Sequence, residues 1–120
     1  MNAAFRRSEA LARLENLAYV IVEHLALITW YSNNSVCTHW QAELKAFSNA
    51  MKRYDAGKGA KHNFTKELIV ETLKETIDTQ DDKDFMLIEI ESHGVGPIED
   101  PDWLSLQETF EKFADQIISV

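Results

Sequence analysis

Four histidines, His24, His39, His62 and His93, one cysteine and twenty acidic side chains are the groups in this 120-residue chain with which chemistry could be done. Di-metal sites in helical bundles use Glu-x-x-His on two helices plus further carboxylates. No Glu-x-x-His occurs here. Glu89 and His93 are four apart and Glu23 adjoins His24, so Glu23, His24, Glu89 and His93 form the set from which a metal-dependent or otherwise catalytic site would be assembled. His24 lies inside an apolar stretch, where such a residue is ordinarily a hydrogen-bonded core histidine. No metal and no other cofactor is expected.

Residues 78–89 loosely resemble a calcium loop, with Asp78, Gln80 and Asp82 at positions 1, 3 and 5 and Glu89 at position 12. Lys83 stands where the sharp turn needs glycine, and there is no second loop. These acids therefore read as caps and turn residues. Gly57-Lys58-Gly59-Ala60-Lys61 lacks phosphate-loop spacing. Magnesium-binding bundles need acidic pairs on facing helices, and the segment 35–54 has only Glu43. Cys37 and His39 alternate, so a helix would not bring them together as a nucleophilic pair. The chain is read as no enzyme.

The charge is distributed unevenly. The net value of −8 divides into +3 for residues 1–62, with eight Lys/Arg against five Asp/Glu, and −11 for residues 63–120, with four against fifteen. Such a split favours a charged partner. A net negative charge opposes tight DNA binding, because phosphate neutralisation dominates that affinity. The expected function is a small acidic protein-binding module of the inhibitor, immunity or adaptor kind, docking its acidic C-terminal half on a basic protein surface. The expected partner-binding residues are Glu71, Glu75, Asp78, Asp81, Asp82, Asp84, Glu99 and Asp102. Direct nucleic-acid binding is not expected.

The elements that must position these groups follow from the apolar spacing. Leu11, Leu14, Ala18, Ile21, Leu25 and Ile28 recur at 3, 4, 3, 4, 3, one face of a helix, and Leu17, Val20, Leu27 and Tyr31 make a second face. A helix apolar over most of its circumference must be surrounded. This first helix, from about residue 5 to 31, is expected at the centre, and surplus apolar surface on it would suit a homodimer. Glu23-His24 interrupts the stretch where charge is costly in lipid, so a membrane span is not expected. Arg6-Arg7 is followed by an amphipathic segment rather than the apolar core of a leader. With a single cysteine besides, the expected location is cytoplasmic.

Cys37, Trp40, Leu44, Phe47, Met51 and Tyr54 repeat the same spacing in a second helix, started by Ser35 or by a Thr38–Gln41 capping box. A third begins near Thr65, with Phe64 and Ile69 as a hydrophobic staple, Ile69, Val70, Leu73 and Ile77 inward and Glu67, Glu71 and Glu75 outward. Residues 85–91 alternate as a strand would. The helical reading explains more, because Asp81 or Asp82 caps its start and Gly94 its end. In the last helix Asp100 is read as the cap and Pro101 as the first residue, with Trp103, Leu106, Phe110, Phe113, Ile117 and Val120 as the seam. The fold class is all-α: one domain, 1–120, as an antiparallel bundle of four or five helices around the first.

Overall fold

The computed structural model describes residues 3–55 and 65–118. Their order is α1 (Ala3–Trp30), α2 (Cys37–Asp55), α3 (Lys66–Glu75), α4 (Gln80–Glu91) and α5 (Trp103–Ile118). No strand occurs among the described residues. The all-α expectation holds, at the upper helix number, and residues 85–91 are helical. Phe64, the Gly57–Lys61 segment and His62 lie outside the described residues.

α1 packs against each of the other four helices; α5 also packs on α2 and α3, whereas α4 touches α1 alone among the helices. The reason is visible in the side chains of α1. Leu14, Ala18, Ile21, Val22, Ala26 and Leu27 are fully buried, and Leu17, Leu25, Ile28 and Tyr31 are partly covered against the same cluster. The second apolar face is thus largely used inside the chain. Each fully buried large aliphatic side chain stabilises by about 1.5–3 kcal/mol. The seams of the other helices meet this cluster through Trp40, Met51, Ile69, Leu73, Ile77, Met86, Ile90, Leu106, Phe110 and Ile117, all nearly inaccessible.

The loop between α4 and α5 is tied back to α1. Tyr31 Oη donates to the Gly96 carbonyl at 2.6 Å, and Trp30 meets Trp103 edge to face with centroids 5.1 Å apart. Gly94 takes φ +81°, the left-handed conformation that glycine adopts without steric cost. Thr72, buried on α3, donates its hydroxyl to the Leu68 carbonyl at 2.7 Å.

Three helix ends differ from the sequence reading. α2 starts at Cys37, which makes Thr38 already helical, so neither Ser35 nor Thr38 is the cap. The turn before it is held by Asn34, whose Oδ1 accepts from the Val36 amide at 3.0 Å. α4 is capped by Thr79, with Asp82 completing a capping box from its third position. α5 is capped by Asp102, whose Oδ1 accepts from the Ser105 amide at 2.9 Å, so Asp100 and Pro101 precede the helix. At each site several short polar residues lie within one turn, and the packing of the apolar seam selects among them. Thr65 caps α3 as expected, accepting from the Leu68 amide at 3.1 Å.

Candidate functional site

The histidine embedded in α1 organises the chemistry-bearing side chains. His24 is 3% exposed, and one turn back Val20 offers a carbonyl that can only accept. Nδ1 donates to that oxygen at 2.8 Å. Nε2 lies 2.5 Å from an Oε of Glu43 on α2. The paired imidazole holds the Glu43 carboxyl below its usual range, so this side is a carboxylate and Nε2 donates. Both ring nitrogens of this buried histidine thus face a hydrogen-bond partner.

The second oxygen of Glu43 meets His39 Nε2 at 2.5 Å, one turn back on α2 and largely in solvent. Glu23, 7% exposed, lies 3.2 Å from His93 Nε2 and 3.6 Å from His24 Nδ1. The rings of His24 and His93 stand edge to face at 5.7 Å; Phe47 covers one side of His24, and Trp40 lies against His93. Two carboxylates and three imidazoles therefore link α1, α2 and the turn that follows α4.

The set expected from sequence is partly assembled. Glu23, His24 and His93 converge, but Glu89 stands beside Tyr19 instead. There Glu89, together with Glu23, adds to the effect of burial and pushes the Tyr19 phenol up to about 12. Sequence reasoning missed Glu43 and His39. The available signal was that Glu43 is the sole acid of the α2 seam region and sits four residues after a histidine, opposite a core histidine needing a partner. Among the described residues no group of three or more His, Cys, Asp or Glu side chains is arranged to hold a metal ion. The two histidines on Glu43 approach different oxygens, so the carboxylate stands between them. The calcium-loop resemblance is likewise not realised, because residues 80–91 are helical and Gln80 donates to Asp84 at 2.9 Å.

The expected partner-binding acids lie on a different part of the molecule. Glu71 and Glu75 are on α3, Asp78 is in the following turn, Asp81, Asp82 and Asp84 are on α4, and Glu99 and Asp102 lie before α5. All are exposed except Asp82, which is half-buried in its capping box. α3 and α4 do not pack on each other, so these residues occupy at least two surfaces. On α3, Glu71 lines an open groove of about 360 Å³ against α5, with Glu67, Glu111, Val70, Lys66 and Lys74. A second groove, of about 450 Å³, lies between α1, α2 and α5. Neither groove is lined by a member of the histidine cluster. No described helix is long and apolar enough to cross a membrane.

No protein-family model, curated protein or solved structure matches this chain.

Proposed function

We propose that the chain is a non-enzymatic, acidic protein-binding module of the inhibitor, immunity or adaptor kind, an antiparallel bundle around α1. Its C-terminal half docks on the basic surface of a partner in the cytoplasm. One observation carries the reading: among the described residues, none of Glu71, Glu75, Asp78, Asp81, Asp82, Asp84, Glu99 and Asp102 is ion-paired with Lys or Arg. Like charges held in solvent without counter-ions cost some stability and gain electrostatic steering toward an oppositely charged surface. The histidine cluster, by contrast, is satisfied internally and reads as a structural tie. The test is capture with wild-type protein and with E71K/E75K/D78K as bait. A basic protein retained by the first and lost by the second supports the reading; equal retention sinks it.

One alternative is a metal-binding or metal-dependent catalytic bundle built on Glu23, His24 and His93, which converge although they are not arranged to hold a metal ion. A metal on His24 would have to displace either Glu43 or the Val20 carbonyl. Stoichiometric zinc or manganese in protein prepared without chelator would favour it over the binding-module reading.

A further inference from the structure

α4 carries apolar side chains on both of its sides. Met86 and Ile90 are fully buried against the core. On the opposite side Phe85 and Ile88, three apart and hence neighbours on one face, remain 57% and 63% exposed. A surface helix in contact with one other helix needs a single apolar stripe. Among the described helices α4 packs on α1 alone, and this second stripe stays largely in solvent, with Tyr19 of α1 meeting only its Phe85 edge. Its surroundings are acidic: Asp81 and Asp84 lie one turn before Phe85 and Ile88, and Glu91 lies three residues after Ile88, all exposed. Lys83 is the one basic residue of α4.

We propose that this outer face of α4 is the anchor of the docking surface, with Phe85 and Ile88 entering an apolar recess on a partner protein whose rim is lined by Lys and Arg. The inference rests on the binding-module reading above and names its contact. Charge complementarity selects the partner: a recess with an acidic or neutral rim would face Asp81, Asp84 and Glu91 without compensation, whereas a basic rim pairs with them. An aromatic anchor inside a polar ring is the arrangement in which interfaces concentrate their binding energy. The Phe85 ring is already braced, at 6.2 Å and tilted 57° against Tyr19, so less side-chain freedom is lost on docking.

The test compares three baits: wild type, F85A/I88A and E71K/E75K. Both truncated side chains of the second are largely in water, and the inner Met86 and Ile90 are untouched, so helicity by circular dichroism should match wild type. The expected result is a basic partner that F85A/I88A binds about tenfold more weakly or worse. Affinity of F85A/I88A equal to wild type, with E71K/E75K weakened, overturns the α4 anchor and leaves the acidic reading standing. Absence of any salt-sensitive partner for wild type overturns both. A second measurement does not depend on truncation. A photoreactive benzoylphenylalanine replacing Phe85 should crosslink to the partner, whereas the same group replacing the exposed Ala46 of α2 should not. No adduct from position 85 overturns the inference.

Discussion

The imidazole of His24 and the carboxylate of Glu43 meet at 2.5 Å across the α1–α2 interface, nineteen residues apart in sequence, and they tie the most buried helix to its partner. The two ends of the pair are unequal. His24 is 4% exposed in its side chain and Glu43 35%. Removing Glu43 therefore strands a buried donor, whereas removing His24 returns the carboxylate to water. Glu43→Ala is expected to cost about 1–3 kcal/mol in urea unfolding. Glu43→Gln, which keeps an acceptor, should cost less. Equal effects of the two would show that the hydrogen bond contributes nothing.

The same pair sets an acid limit. The Glu43 carboxyl is held below its ordinary value in the folded chain, chiefly by the hydrogen bond from His24. The unfolded chain then binds more protons through that range, so the contribution is fully present above the ordinary carboxylate value and is lost as pH falls below it. The unfolding midpoint of wild type should fall as pH drops below the ordinary glutamate value of about 4.3. In Glu43→Gln the drop should be shallower, and parallel curves would remove Glu43 from the account.

Tyr19 is a second buried polar group with the opposite character. Its hydroxyl is enclosed with no hydrogen-bond partner, and burial beside Glu89 and Glu23 pushes the phenol up to about 12. A spectrophotometric titration should show one tyrosine ionising near that value. Tyr19→Phe removes an unsatisfied group while keeping the ring against Phe85, so stability should be unchanged or slightly higher. A loss of more than about 1 kcal/mol would reveal a partner for the hydroxyl.

The ends of α5 distinguish two neighbouring aspartates. Asp102→Ala removes the cap on Ser105 and should cost about 1 kcal/mol, while Asp100→Ala should be nearly neutral. Thermal unfolding of the two variants reads the difference directly. The reverse order would restore Asp100 as the cap.

The helices were legible in the sequence because apolar spacing reports a face directly. Leu14, Ala18 and Ile21, Trp40 and Met51, Ile69 and Leu73, and Leu106, Phe110 and Ile117 are all buried where the spacing placed them. The starts of α2, α4 and α5 were less legible, because Ser35, Thr38, Thr79, Asp81, Asp82, Asp100 and Asp102 are chemically interchangeable as caps. Only tertiary packing decides among them. The His24–Glu43 contact depends on how far α1 slides along α2, a register that spacing within one helix does not encode. His24 was readable as a bonded core histidine, but its partner was not. The outer apolar pair on α4 was masked by its alternation with Met86 and Ile90, which resembles a strand until the helix is known.

The most direct test of the acidic-docking account is affinity purification from the native host with mass spectrometry, at low and then at high salt. The account predicts a basic protein that is held at low salt and released as salt screens the contact. A salt-resistant self-assembly with no such protein would contradict it and return attention to α1 as an interface.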